Sequence, residues 1–151
     1  MKGQRRAFLK MDLNEFDQSE NSGWRTFADG PNHDRKCFLV GAKLLRAYVR
    51  VHRSLSDHER MILSFHAGQA YALAHQYGNA IKEFRQSFEG NAEDWDAYVR
   101  ATIDFLKFDK PSLVREREKL AAIPGKLNLN VVDDLVKHFG ESYADAYAPK
   151  E

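Results

Sequence analysis

Breakers fall along this chain at intervals that leave room for helices and for little else. Gly30-Pro31, Ser54 to Asp57, Gly78-Asn79, Glu89 to Asn91, Asp109 to Pro111, Pro124-Gly125 and Gly140 divide it into segments. Between them no long stretch alternates apolar and polar residues as a half-buried strand does. The expectation is an all-α chain, with helices near 34–53, 57–76, 79–89, 92–108, 111–122 and 130–139. The connections are short, so neighbouring helices should pack antiparallel. Local chemistry supports several of these ends. Ser56-Asp57-His58-Glu59 fits a capping box, in which the serine caps an amide and the glutamate reaches back. Asn91 with Asp94, and Asn130 with Asp133, place a short polar acceptor before an acidic third position. Pro111 suits a first helical turn, and Gly140 suits a helix stop.

A chain of 151 residues favours one domain. The segment 1–21 reads as a flexible or docking N-terminal piece, and 22–147 as a single α-helical domain. Lys and Arg total 23 against 22 for Asp and Glu, a net charge of +1. That balance excludes binding of polyanions by bulk charge, though not through a local patch. Cys37 is the one cysteine, which excludes an intrachain disulfide and any Cys-rich zinc module. No apolar run approaches the roughly 20 residues that cross a bilayer. Arg5-Arg6 with Phe8-Leu9-Lys10 resembles the core of a twin-arginine export signal. The residues that follow, Met11 to Glu20, are acidic and polar where such a signal needs an apolar stretch. A cytoplasmic protein is expected, with Phe8, Leu9, Leu13 and Phe16 as anchors that dock on the body of the fold.

Gly68, Tyr71, Tyr77, Ala80 and Phe84 occupy the small and aromatic positions of a window of about 34 residues starting at Met61. This spacing resembles a tetratricopeptide repeat, as found in small bacterial repeat proteins without an assigned activity. Trp95, Tyr98, Ala101 and Phe105 continue the pattern into the next helix, although Val114 and Glu118 stand where alanine and phenylalanine are expected. Trp24, Phe27 and Ala28 open a preceding unit in outline. The resemblance implies antiparallel hairpins stacked as a short superhelix, because a single repeat cannot bury its own apolar face. It also implies a groove lined by Ile62, Phe65, Gln69 and Leu73 from one helix and by Asp96, Val99, Arg100 and Ile103 from the next. Such a mixed surface seats a peptide. Its other reading is a groove filled by later helices or by the N-terminal segment.

The function implied is a non-catalytic interaction or scaffold module, binding a partner protein, a peptide or a second copy of the chain. Two alternatives stand beside it. One is a small helical enzyme or ligand-binding protein with a pocket near His66, Gln69 and Arg100. The other uses a stripe of Lys36, Lys43, Arg46, Arg50 and Arg53, which share one side of the helix near 34–53. That stripe suits acidic partners or RNA, or else it is a solvated face paired with Glu15, Asp17 and Glu20. No aromatic interleaves with it, which disfavours nucleic acid. Cys37 falls on the apolar side of the same helix and reads as an inert thiol. No catalytic motif, phosphate loop or metal-ligand spacing is present, so no catalytic residue, metal or cofactor is expected.

Overall fold

The computed structural model describes residues 2–28 and 34–147. The Gly30-Pro31 break lies outside them. The fold is all-α, with no strand among the described residues. Its α-helices are α1 (Lys2–Phe8), α2 (Arg35–Val51), α3 (Asp57–Leu73), α4 (Tyr77–Arg85), α5 (Glu93–Leu106), α6 (Lys110–Ala122), α7 (Leu129–Lys137) and α8 (Tyr143–Tyr147). A π-helical turn, Asn14–Gln18, and a 3-10 turn, Gly23–Phe27, lie between α1 and α2. The chain forms two compact units, Met1–Glu83 and Phe84–Glu151, and the division falls inside α4. The sequence reads as one domain from residue 22; the compact units are a division within the chain on which helical periodicity is silent.

In the first unit α2 and α3 form the main hairpin. The repeat spacing at 61–94 pairs α3 with α4; the hairpin that carries this unit pairs α3 with α2. Asp34 opens α2 by accepting from the amides of Lys36 (2.9 Å) and Cys37 (3.0 Å). Ser56 opens α3 with the capping box expected of it. The Arg60 guanidinium ties the α2–α3 connection by donating to the carbonyls of His52 and Arg53. Residues 8–27 lie across this hairpin as a strap. Phe8, Phe16 and Trp24 join Leu45, Tyr48, Leu63, Ala67 and Ala70 in one apolar cluster. Full burial of one such side chain is worth about 1.5–3 kcal/mol. Phe16 stacks on Tyr48 at 3.8 Å, and Tyr48 stacks on His52 at 3.9 Å. The Tyr48 hydroxyl donates to the Met11 carbonyl, and a ring nitrogen of His52 bonds that of Leu9, each at 2.9 Å. Phe8 and Phe16, expected as anchors of segment 1–21, thus dock on the hairpin. Gly23 has φ +49, and a Cβ there would collide with the carbonyl of Phe16, so the strap can turn only at a glycine.

In the second unit α5 and α6 form the hairpin, and α7 and α8 extend it. Phe105, Leu113, Leu120, Val132, Leu135 and Tyr143 are buried. Asp109 caps α6 through the Ser112 amide (3.1 Å), and Pro111 occupies its first turn. Three expected helix ends differ. Asn91 and Asp94 do not cap α5, whose N-cap is Ala92. Asn130 lies within α7, which follows Asn128 in the left-handed region. Gly78 lies within α4; the turn before it is made by His75 at φ +59.

Helices α3 and α5 both end in Schellman motifs with a side chain where glycine is usual. After α3, Gln76 donates to the Tyr71 carbonyl and His75 to that of Ala72. After α5, Asp109 donates to Asp104 and Phe108 to Phe105, with Phe108 at φ +58. A bulky residue in this conformation is strained by about 1–2 kcal/mol. Phe108→Gly should therefore be more stable than Phe108→Ala by about 1 kcal/mol in chemical denaturation. Equal stability of the two variants would mean that this position is unstrained.

Candidate functional site

Two places in the first unit concentrate charge. The first is the exposed side of α2. At about 100° per residue, Lys36, Val40, Lys43 and Arg50 fall in one stripe, and all four are exposed. Val40 is 42% exposed, and Val51 at the end of the helix is 55% exposed. Arg53 is exposed just beyond the helix. Among the described residues no ion pair forms at Lys36, Lys43, Arg50 or Arg53. Arg46 differs: its Nε lies 3.0 Å from Glu83 Oε1. The pairing acid is thus Glu83 of α4, a residue that the sequence did not single out. Cys37 of the same helix is half-buried.

The second place is the carboxylate of Asp17, which is 1% exposed. The indole Nε1–H of Trp24 and the Nδ1 of His66 both lie 2.7 Å from its Oδ1. Gln18 donates to its Oδ2, and Arg25 donates to its backbone carbonyl. The Arg25 guanidinium also sits 5.0 Å from the Trp24 ring. Burial pushes this carboxyl up, but the hydrogen bonds and charge of its partners, His66 first, prevail and hold it below its ordinary 3.8. The ionised carboxylate only accepts, so His66 donates from Nδ1. An Asp–His pair can orient a base, but here the same oxygen also receives Trp24. The arrangement fastens the strap to α3.

Beside this lock, the π-helical turn and the start of α3 enclose an open groove of about 420 Å³. Leu13, Ile62 and Leu63 form its apolar surface, and Asn14, Asp17, Gln18, His58 and Glu59 contribute polar groups.

The residues expected to line a repeat groove are divided between the units. Phe65, Gln69 and Leu73 lie on α3; Phe65 is buried and the other two are half-buried. Asp96 and Arg100 lie on α5. Asp96 is 8% exposed and accepts from the amides of Glu89 (2.8 Å) and Gly90 (2.9 Å), tying the turn before its own helix. Arg100 Nε donates to Glu116 at 3.0 Å, and Lys119 donates to the other oxygen at 2.7 Å. Burial raises the Glu116 carboxyl, and these two cations bring it below its ordinary 4.5.

Glu83 behaves in the opposite way. Arg46 reaches one oxygen, while the other is buried without a hydrogen-bond partner. Burial outweighs the arginine and holds this carboxyl above 4.5. Among the described residues no group of three metal-ligating side chains converges, and no helix is long and apolar enough to cross a membrane.

The signs of these shifts fix the response to acid. The contribution of Asp17 is fully present above pH 3.8 and is lost as pH falls through its lowered value. Glu83 weakens the fold above pH 4.5, a penalty that is relieved as it takes up a proton. Asp17→Ala strands the Trp24 and His66 donors, while the exposed Gln18 turns to water, and should cost about 2–4 kcal/mol at pH 7. The gap between wild type and this variant in urea titrations should narrow below pH 3.8. A gap independent of pH would assign the loss to packing alone. No protein-family model, curated protein or solved structure matches this chain.

Proposed function

We propose that this chain is a non-catalytic interaction module that docks an acidic protein surface on the exposed face of α2. One observation carries this reading. Lys36, Lys43 and Arg50 share a helix face with the exposed Val40, and among the described residues none of the three forms an ion pair, although Asp34 at the start of the helix feels the charge of Lys36. A solvated face is ordinarily mixed in sign. A stripe of cations around an apolar residue offers both steering and a dry contact to a partner that carries carboxylates beside an apolar side chain. The carboxylates nearest to catalytic chemistry are engaged within the fold: Asp17 with His66 and Trp24, and Glu116 with Arg100 and Lys119.

The likeness of 61–94 to a tetratricopeptide repeat supports the same class of function. It places recognition in a groove, but Phe65 is buried and Asp96 is bound to backbone amides, so α2 has more to offer a partner. An acidic protein is preferred to RNA because no aromatic side chain interleaves with the stripe. The polar stretch after Arg5-Arg6 supports a cytoplasmic setting.

Affinity capture from lysate of the cells that make the protein tests this reading, with quantitative mass spectrometry of wild type against Lys43→Glu/Arg50→Glu. Both positions are exposed, so the variant should fold normally. A partner with an acidic segment should be recovered by wild type, fall about tenfold or more with the variant, and weaken with added salt. Identical recovery by the two proteins would sink the reading. Binding removed by ribonuclease would replace it with the RNA alternative.

A further inference from the structure

Phe108 combines features that folding alone does not call for. It is 59% exposed, the most exposed large apolar side chain of the described residues. It stands at φ +58 in the position of a Schellman motif that glycine normally fills. A strained, solvated aromatic ring is a candidate for function. The ring is braced from behind. Phe108 meets Phe139 edge-on at 6.4 Å, Phe139 meets Phe105 at 6.0 Å, and Phe105 meets the buried Tyr143 at 6.2 Å. Lys110 places its ammonium 5.6 Å from the Phe139 ring, and Lys107 is exposed beside Phe108. The result is a firm aromatic knob with the exposed Lys107 and Lys110 nearby and Asp109, bonded to Ser112, next to it in the chain.

The first unit presents a surface of the opposite character. Its groove of about 420 Å³ has an apolar floor of Leu13, Ile62 and Leu63, with Glu59 beside them. An enclosed apolar cavity of about 150 Å³ is enough for a benzene ring. Asp12 and Glu15 are exposed on the segment that forms one wall. Burial first, and then the carboxylates of Asp12, Glu59 and Asp17, push the phenol of the neighbouring Tyr48 up. Around this groove Asp12, Glu15 and Glu59 outnumber His58, while at the knob Lys107 and Lys110 are exposed and Asp109 is half-buried and bonded to Ser112, so the outermost charges of the two surfaces are opposite in sign.

We propose that the chain self-associates, with Phe108 of one copy seated in the groove between the π-helical turn and α3 of a second copy, and Lys107 and Lys110 facing its carboxylates. The contact joins two different surfaces, so it closes into a pair only when each copy gives and receives a knob. One ring and two rim charges make a small interface, with a dissociation constant in the range of about 10 μM to 1 mM.

Sedimentation velocity over a concentration series tests this with the full chain. Phe108→Gly removes the knob at a position where glycine suits the backbone. Ile62→Arg fills the groove with a cation; Asn14→Trp, at an exposed position, blocks the mouth if the arginine disturbs α3. Wild type should associate, and each variant alone should weaken association about tenfold or more. Mixing the two should restore a one-to-one complex, because Phe108→Gly keeps the groove and Ile62→Arg keeps the knob. Added salt should weaken both the wild-type and the mixed complexes. A wild type that stays monomeric up to about 1 mM overturns the proposal. So does association of Phe108→Gly at wild-type strength, or a mixture of folded variants that does not associate.

Discussion

One buried carboxylate organises the first unit. A charge such as that of Asp17 is tolerated inside a protein only when donors surround it. Those donors come from the strap itself, through Trp24, and from α3, through His66. The bonds are directional and the apolar contacts are not, so the carboxylate sets where the strap lies while Phe8, Phe16 and Trp24 supply most of the driving force. The turn at Gly23 is needed for the same reason. It brings Trp24 back to Asp17 across a gap that leaves no room for a Cβ.

Two other buried glutamates show how partner number decides the state of a carboxyl. Glu116 has a cation on each oxygen, from Arg100 and Lys119, and is held low. Glu83 has a cation on one oxygen and nothing on the other, and is held high. Burial acts on both in the same direction; Glu116 has two hydrogen-bonding cations to oppose it, whereas Glu83 has only the charge of one arginine. The same logic separates α2 from the rest of the charged surface. Arg46 is held by Glu83, whereas Lys36, Lys43 and Arg50 have no such partner among the described residues, and their charge is left to act outward.

Helix positions were legible in the sequence because their causes are local. The segments at 34–53, 57–76, 92–108 and 111–122 correspond to α2, α3, α5 and α6, and Ser56 with Glu59 forms the capping box their spacing implies. Elsewhere a bond or a backbone angle that spacing does not announce gives a residue another part to play. Asp96, expected in a groove, holds the turn before α5. Asp17, expected among the acids that neutralise the basic stripe, is bonded to His66 and Trp24. Gly78, expected to break the chain, is helical, and His75 makes the turn.

By itself the sequence determined the all-α class, most helix limits and the cationic stripe of α2, since each follows from periodicity and capping within a few residues. Only the tertiary structure decided that α3 pairs with α2, that residues 8–27 form a strap locked through Asp17, and that the chain divides within α4. It also decided that Phe108 would stand out in solvent at a backbone angle suited to glycine. These features depend on which apolar faces meet and which buried charges find donors. Both are settled between residues far apart in the chain, where one sequence carries no marker of contact.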